Sequence, residues 1–217
     1  MGCGGDRMTD YGGMTLAEYR NALASDAPTP GGGTAAAVAL SQGAALSLMV
    51  CNLTLGKERW QDGWTSAESC IKVAEPLLER GHQLAREDAE AFDLVMSAFR
   101  MPKSNDDEIM LRKSAIQNGT LGAAMVPMET AKLAYGLLNV LPDLATTGNG
   151  NAVTDVGVAG LLVSAACKGA LFNVEININS LPDDMATPLR TEMDELRIHC
   201  RDKAREIMHR VHERLQS

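Results

Sequence analysis

Two aspartates are the main candidates for acid–base chemistry in this sequence. Asp155 lies in Asn151-Ala-Val-Thr-Asp-Val-Gly157, near the start of the segment 152–178, where Lys168 and Glu175 are the only other ionisable residues. A buried carboxylate needs a partner or a chemical role, although one in the first turn of a helix also stabilises the helix dipole. We expect Asp155 to be buried and take it as the first catalytic candidate.

Asp88 is the second candidate. It lies in the middle of Arg86-Glu-Asp-Ala-Glu-Ala-Phe92, where charged residues surround it. From these residues alone, a solvated helical face is the simpler interpretation.

Two further groups have the chemistry to bind a ligand. Gly31-Gly32-Gly33 precedes a helix, whose free backbone N–H groups can bind an anion, although a triple glycine can equally form a tight turn or allow close helix packing. Asn173 and Asn177 are four residues apart and therefore share one helical face. Their carboxamides can bind the polar edge of a ligand or join two helices.

Neither the histidines nor the cysteines predict a metal site. His209 and His212 precede Glu213 on a polar helix, where a solvated surface is the simpler interpretation. No Cys/His cluster has the spacing of zinc ligands. The five cysteines, at positions 3, 51, 70, 167 and 200, contain no CxxC pair, and we expect thiols in a reducing compartment rather than disulfides.

Charge and hydropathy exclude several classes of partner. The net charge is −8 and the sequence pI is about 5.0, so a basic surface for nucleic acid or an anionic membrane is not expected. Residues 35–50 are apolar but contain polar side chains, which favours a buried helix over a membrane span. No secretory signal is recognised, the Met-Gly-Cys start lacks the Ser or Thr that myristoylation needs at position 6, and we expect a cytoplasmic protein. Residues 1–13 are expected to be a disordered leader before a single domain, 14–217.

The element pattern predicts an all-α fold, an up-and-down antiparallel bundle of about five long helices plus a short N-terminal helix. Alanine, leucine and methionine are abundant and aromatics make up only 4% of the chain, which favours helices. Capping boxes are predicted at Thr15–Glu18 and Thr65–Glu68, and Gly56 is expected at a helix C-terminus. The predicted helices span 15–25, 34–55, 65–100, 106–140 with a kink at Pro127, 152–178, and 182–215.

Five segments in this order resemble the family that contains methenyltetrahydrofolate cyclohydrolase and the cyclodeaminase domain of formiminotransferase-cyclodeaminase. They are Pro28-Thr-Pro-Gly-Gly-Gly-Thr-Ala-Ala-Ala37, Met49-Val-Cys-Asn-Leu-Thr-Leu-Gly-Lys57, Asp88-Ala-Glu-Ala-Phe92, Thr154-Asp-Val-Gly-Val-Ala159 and Gly169-Ala-Leu-Phe-Asn-Val-Glu-Ile-Asn177. The resemblance implies a helical homodimer that acts on a tetrahydrofolate derivative, including polyglutamylated forms, at the carbon between N5 and N10. It implies no cofactor beyond that substrate, and Lys57 is a candidate for the folate carboxylates or for proton transfer. Thr34 and Thr154 stand where the family more often has serine.

Helix geometry limits which candidates can meet. Gly33 and Lys57 are about 35 Å apart along one helix, and Asp155 and Asn173 about 27 Å apart along another. If these two helices are antiparallel, Lys57 groups with Asp155, and Gly31–Gly33 group with the two asparagines. A site containing all of them then needs a long cleft or a second subunit. The alternative from another class is a non-catalytic folate-binding or oligomeric scaffold protein, for which a filled bundle without a cleft is expected.

Overall fold

The computed structural model describes residues 10–216, which form a helical bundle. Its helices are α1 (Leu16–Leu23), α2 (Gly32–Thr54), α3 (Trp64–Phe99), α4 (Asp106–Thr147), α5 (Val153–Ile178) and α6 (Asp183–Gln216). Short 3-10 turns lie at Tyr11–Gly13, Glu58–Gly63 and Gly150–Ala152, and the described chain contains no strand. The predicted fold class, five long helices after a short one, is confirmed.

The helices α2 and α5 run antiparallel through the centre of the bundle. Gly43 of α2 lies against Val163 of α5, whereas Ala36, earlier in α2, lies against Gly169, later in α5. Helix α2 also packs on α3 and α5 on α4, and α6 covers α4 and α5. Since both central helices have neighbours on several sides, their alanines, valines and leucines form most of the core.

Both central helices are long and apolar enough to cross a membrane by length and composition. In each, 56% of the most apolar window is buried inside the protein. Contacts within the bundle therefore account for much of this apolar surface, as predicted for residues 35–50.

Helix starts follow the sequence at one of the two predicted capping boxes. At α1, the Thr15 N–H donates to Glu18 Oε2 at 2.8 Å and the Glu18 N–H donates to Thr15 Oγ1 at 3.2 Å. The predicted box at Thr65–Glu68 is wrong, because α3 already begins at Trp64 with Gly63 as its N-cap and no side-chain cap. At the end of α2, Gly56 takes a φ of +69°, the left-handed conformation that glycine tolerates at a helix C-terminus.

Helix α4 is longer than predicted. It continues through Pro127 and Pro142 to Thr147, whereas the sequence predicted an end near residue 140 and a loop from Pro142. Proline removes one helical hydrogen bond, but Leu141 and Leu144 beside it are buried in the core. Their burial offsets that loss and holds the last turns in helical form.

The domain boundary predicted at residue 14 stays a prediction, and the described chain has a turn just before it. Residues 10–13 form an ordered turn, in which the Gly12 N–H donates to Asp10 Oδ1 at 3.1 Å and the Tyr11 side chain is only 7% exposed. Residues 1–9, which the predicted leader also includes, lie outside the described residues. An aromatic ring buried between helices fixes this part of the segment.

The cysteines follow the prediction where they can be examined. Cys51, Cys70, Cys167 and Cys200 are buried free thiols, and Cys3 lies outside the described residues. They pack as small apolar side chains.

Candidate active site

A cavity of about 280 Å³ lies at the end of the bundle where α2 begins. Its lining comes from the loop before α2, from α2 itself and from α3, α4 and α5: Pro28, Thr29, Gly31, Gly32, Gly33, Asp88, Phe92, Val95, Ala123, Asn173 and Asn177. This volume is near the lower limit of small-molecule sites, which range over roughly 300–1,000 Å³. Six of these eleven residues come from segments that are distant in sequence from the glycine turn, so the fold itself creates the cavity.

Asp88 is the ionisable residue that lines this cavity. Its Oδ2 accepts a hydrogen bond from Thr34 Oγ1 at 3.0 Å. Burial raises the pKa of Asp88, and the interaction with Thr34 opposes that rise only in part. The carboxyl group is therefore a better proton acceptor than an ordinary surface aspartate.

Gly33 allows this carboxylate to approach α2. A Cβ atom built on Gly33 would collide with the carboxylate oxygens of Asp88. At Gly32, by contrast, the nearest atom to an added Cβ is Asn173 Nδ2, at an ordinary contact distance of 3.6 Å. The glycine turn thus serves close approach, one of the two readings that the sequence left open, and the approaching group is a carboxylate rather than a second helix.

The two asparagines are held with their amide groups bound to backbone oxygens. Asn177 Nδ2 donates to Asn173 O at 2.8 Å and to Ala123 O of α4 at 3.0 Å, and Asn173 Nδ2 donates to Gly169 O at 2.9 Å. Asn177 therefore joins α5 to α4 and lines the cavity as well. Within residues 10–216 no donor reaches the Oδ1 atom of either asparagine, which leaves two acceptors beside Asp88.

The lining is complementary to a ligand that carries hydrogen-bond donors or positive charge. It combines a carboxylate, two carboxamide groups and the apolar side chains of Phe92 and Val95. A flat heterocycle with N–H groups on its edge would satisfy both the polar and the apolar parts. A carboxylate in such a partly enclosed site also stabilises positive charge more strongly than it would in water.

Asp155 and Lys57 are not among the lining residues. Asp155 lies at the start of α5, at the opposite end of the bundle from Asp88, and it is partly exposed, so its predicted burial is wrong. Lys57 is exposed just beyond the end of α2. The antiparallel grouping is confirmed for Gly31–Gly33 with the asparagines, and the same topology places Lys57 at the end of the bundle that holds Asp155.

Several lining residues were not predicted as site residues: Pro28, Thr29, Phe92, Val95 and Ala123. For Asp88 a solvated helical face was the simpler interpretation, although its position along α3 carried a signal of burial. The buried residues of α3 follow a spacing of four and three: Cys70, Ala74, Leu77, Gly81 and Leu84. Asp88 is the next position in that series, so it occupies a core-facing position despite its charged sequence neighbours.

The histidine pair lies on the surface of α6. His209 is exposed, with Nε2 at 3.3 Å from Glu213 Oε1, and the His212 Nδ1 atom lies 2.7 Å from Met208 O. Among residues 10–216 no three side chains of His, Cys, Asp or Glu are grouped as a metal site requires. Zinc at this pair gains no support from their placement.

Comparison with known proteins decides the family. A family model described as formiminotransferase-cyclodeaminase matches residues 15–195. The chain belongs to the formiminotransferase-cyclodeaminase family. It is 37% identical over 172 residues to methenyltetrahydrofolate cyclohydrolase of Methylorubrum extorquens, which covers 79% of this chain and 83% of that protein.

Two further comparisons show how the length of this chain relates to the lengths of similar proteins. Rat formimidoyltransferase-cyclodeaminase is 30% identical over 171 residues, which is 79% of this chain but only 32% of that relative. The crystal structure of formiminotetrahydrofolate cyclodeaminase from Thermotoga maritima matches with a TM-score of 0.83 and 28% identity, over 93% of this chain and 98% of that one. The bundle is thus the fold of a complete cyclodeaminase chain and corresponds to about a third of the rat protein.

Proposed function

We propose that this chain is a folate one-carbon enzyme that acts at the carbon between N5 and N10 of tetrahydrofolate, as a methenyltetrahydrofolate cyclohydrolase. The observation that carries the proposal is the placement of Asp88, a carboxylate with a raised pKa, in a cavity with two carboxamide acceptors. The identity to the Methylorubrum cyclohydrolase, over most of both chains, supports this reaction. Asp88 therefore replaces Asp155 as the first candidate for the catalytic residue.

The proposed reaction uses Asp88 first as a base and then as an acid. Water attacks the methenyl carbon, and Asp88 accepts one proton of that water, so that a neutral carbinolamine forms. The bond from this carbon to N5 then breaks, Asp88 returns its proton to N5, and the carbinol hydroxyl loses its proton to solvent as the formyl C=O forms. Charge balances, because a cationic substrate and water give a neutral formyl product and one released proton.

The same site supports a second reaction, cyclodeamination. The fold match to the Thermotoga cyclodeaminase favours this candidate, since it extends over nearly the whole of both chains. N10 would attack the carbon of the protonated formimino group and lose its own proton to Asp88, which forms a neutral tetrahedral intermediate. Asp88 would then return that proton to the amino nitrogen, and ammonia would leave as the cationic methenyl bridge forms. Both reactions need one proton acceptor that becomes a donor, so the lining does not favour either.

The non-catalytic alternative, a folate-binding or scaffold protein, is less well supported. A filled bundle was expected for it, whereas the described bundle has a cavity with a carboxylate and two free acceptors. Lys57 and Asp155, which the sequence had also placed in the enzyme's cleft, do not line this cavity.

Purified protein offered each folate separately tests the proposal. We expect loss of methenyltetrahydrofolate absorbance above the uncatalysed rate, without ammonia release. Ammonia from formiminotetrahydrofolate would instead support the cyclodeaminase. Binding of both folates with turnover of neither would support the scaffold and contradict both enzyme proposals.

A second groove, on another face of α5 from the cavity, is proposed to bind the glutamyl tail of the folate. It lies between α5 and α6, has a volume of about 370 Å³ and is lined by Lys168, Leu171, Phe172, Arg197, Ile198 and Arg201. Phe172 is 69% exposed. The three cations complement carboxylates, which the acidic cavity does not, although Arg197 and Arg201 also pair with nearby acids. A second glutamyl residue on the substrate is therefore expected to lower KM, and Lys168→Ala is expected to reduce that gain.

We also propose that the chain forms a homodimer through α2 and α5. These helices share an exposed apolar face away from the groove, formed by Met49, Leu53, Val158 and Leu161. A large exposed apolar patch on a charge-poor helix is typical of an interface, and a second copy brings a matching patch by two-fold symmetry.

The dimer is tested by placing a charge in that face. Leu161 is 58% exposed, so Leu161→Glu leaves the core intact and is expected to shift the protein from dimer to monomer in sedimentation equilibrium. Leu16→Glu on α1 is the matched control, because Leu16 is also exposed but lies outside this face. A wild-type protein that sediments as a monomer would contradict the dimer.

The remaining proposals concern location and cofactors. We propose a cytoplasmic protein, since four of its cysteines are unbridged thiols. We further propose that the folate substrate is sufficient for turnover, so that dialysis against a chelator should leave the rate unchanged.

A further inference from the structure

Thr34, in the first turn of α2, is fully buried and contacts Asp88 directly. Its Oγ1 donates a hydrogen bond to Asp88 Oδ2 at 3.0 Å, which joins α2 to α3 across 54 positions of the sequence. A buried hydroxyl needs a partner within the protein, and here the partner is the carboxylate that lines the cavity. The packing of α2 on α3 therefore brings a hydrogen-bond donor to Asp88.

The hydrogen bond of Thr34 differs from that of Thr54, the other threonine of α2. Thr54 is also fully buried, but its Oγ1 donates to Val50 O, four residues earlier in the same helix, at 2.8 Å. Such a bond is common for a hydroxyl inside a helix. The residue four positions before Thr34 is Pro30, which precedes the helix, and the Thr34 hydroxyl is bonded to another helix instead.

The two oxygens of the Asp88 carboxylate have different surroundings. Oδ2 accepts the bond from Thr34, whereas no side chain of residues 10–216 donates to Oδ1, which lies in the space that a Cβ atom of Gly33 would occupy. The terminal torsion of an aspartate has a broad minimum, so a carboxylate that nothing holds can rotate and exchange its oxygens. A hydroxyl bound to Oδ2 opposes this rotation and leaves Oδ1 for a ligand in the cavity.

We propose that Thr34 is a positioning residue, which holds Asp88 Oδ2 so that Oδ1 accepts the proton in the reaction and returns it. A carboxyl group that is protonated on Oδ1 still has an acceptor in Oδ2, so the bond from Thr34 persists in both protonation states. The inference rests on the proposed function for the reaction that it serves. In that reaction Thr34 contacts no reacting atom and acts through Asp88 alone.

Thr34→Val and Thr34→Ser separate the hydroxyl from the bulk of the side chain. Valine keeps the shape and removes the hydroxyl, whereas serine keeps the hydroxyl and removes a methyl group. We expect kcat of Thr34→Val to fall about tenfold, the size of one hydrogen bond, with KM within about twofold, and kcat of Thr34→Ser to stay within about threefold of wild type. Wild-type kcat in Thr34→Val, or a lower kcat in Thr34→Ser than in Thr34→Val, would overturn the proposal, since a side chain that only fills space gives that order.

The acid limb of kcat is a readout that packing alone does not move. The Thr34 hydroxyl stabilises the charged carboxylate, so its loss in Thr34→Val should raise the pKa of Asp88 and move the acid limb to higher pH. Thr34→Ser should leave the limb in place. On the plateau above the limb, kcat of Thr34→Val stays low because the more basic carboxylate is no longer oriented. A reduced kcat with an unmoved limb would contradict an action of the hydroxyl on Asp88.

Thr54→Val is the matched control. It makes the same chemical change on the same helix, at the end of the bundle away from Asp88, and it removes the bonds of Thr54 Oγ1 with Val50 O and with the Asn149 N–H. We expect a lower unfolding temperature but wild-type kcat and an unmoved acid limb. An equal loss of kcat in Thr54→Val would show that the effect is not particular to the hydroxyl beside Asp88, and the positioning role would be wrong.

Two further measurements keep the test independent of folding and of turnover. If Thr34→Val does not fold, Thr34→Ala and Thr34→Ser form the pair, since they also differ by a hydroxyl alone. The carbon NMR signal of the Asp88 carboxyl group, assigned by its loss in Asp88→Asn, should titrate at higher pH in the variant without the hydroxyl than in the wild type. An unchanged midpoint would show that the bond does not exist. If the wild-type protein turns over neither folate, the proposed function fails, and this titration alone decides on the Thr34–Asp88 bond.

Discussion

The two ends of the antiparallel α2–α5 pair both carry residues that the sequence marks as functional, but their surroundings differ. At the start of α2, Asp88 and the asparagines line a cavity, whereas at its other end Lys57 is exposed and Asp155 partly exposed. Helices α3 and α4 have 36 and 42 residues, against 23 in α2 and 26 in α5. Their side chains Phe92, Val95 and Ala123 enclose the first end.

This difference shows that a residue's own helix does not determine its burial. Asp155 lies on a charge-poor helix and is still partly exposed, because it lies near the first turn of that helix, at an end of the bundle. Asp88 has charged sequence neighbours and is also partly exposed, but burial raises the pKa of its carboxyl group, since α2 begins directly against it. The surroundings of the two carboxylates therefore depend on which helices pack around each end of the bundle.

The largest expected effect on kcat comes from removing the carboxylates of Asp88 and Asp155 one at a time. Asp88→Asn should reduce kcat by about 10²–10⁴-fold, the contribution of a positioned general base, whereas Asp155→Asn should stay within about threefold of wild type. Burial raises the pKa of Asp88, so its ionisation costs the folded state free energy at neutral pH, and the neutral amide should not lower the unfolding temperature. Initial rates and thermal unfolding of both variants provide the measurement. If Asp155→Asn instead had the lower kcat of the two variants, Asp155 would be the better candidate for the catalytic residue.

A methyl group added at Gly33 or at Gly32 tests how closely the rate depends on the position of Asp88 in the cavity. Gly33→Ala should reduce kcat about 10- to 100-fold, because the new Cβ collides with the Asp88 carboxylate and displaces it. Gly32→Ala is the control, since its Cβ meets Asn173 Nδ2 at an ordinary 3.6 Å. Comparable activity in these two variants would mean that the position of Asp88 does not matter for the rate.

The pH dependence of kcat is the smallest of the expected effects. Because burial raises the pKa of Asp88, the acid limb of kcat should have its midpoint above the ordinary aspartate value of 3.8. Below that midpoint kcat should fall about tenfold per pH unit, as the base becomes protonated. The limb should persist unchanged in Asp155→Asn. A limb that moves in that variant would place Asp155 in the titrating system.

Much of the fold was predictable because its signals are local. The capping box at Thr15, the glycine at position 56 and the boundaries of α5 and α6 follow from short-range hydrogen bonds and apolar spacing. The end of α4 was not predictable in this way. Pro142 favours a break locally, and only the burial of its neighbours in the assembled core outweighs that preference.

The site was predictable in its parts but not in its arrangement. The glycines, Asp88 and both asparagines were all recognised as candidates, and the antiparallel pairing of α2 and α5 brings the glycines and asparagines together. Asp88 was ranked below Asp155 because of its charged sequence neighbours, but sequence neighbours on a helix lie on different faces. Thr29 was missed, since its place in the cavity exists only in the packed bundle.

The buried ring of Tyr11 has a consequence for hydration. Without it, the apolar side chains of Leu84, Ala85 and Ala89 would border a gap open to solvent behind the carboxylate. Solvent molecules entering there would stabilise the charged form of Asp88 and weaken it as a proton acceptor. We expect a protein cut at residue 15, the start of the family match, to retain the residues of all six helices and to have a wetter, less basic carboxylate at Asp88.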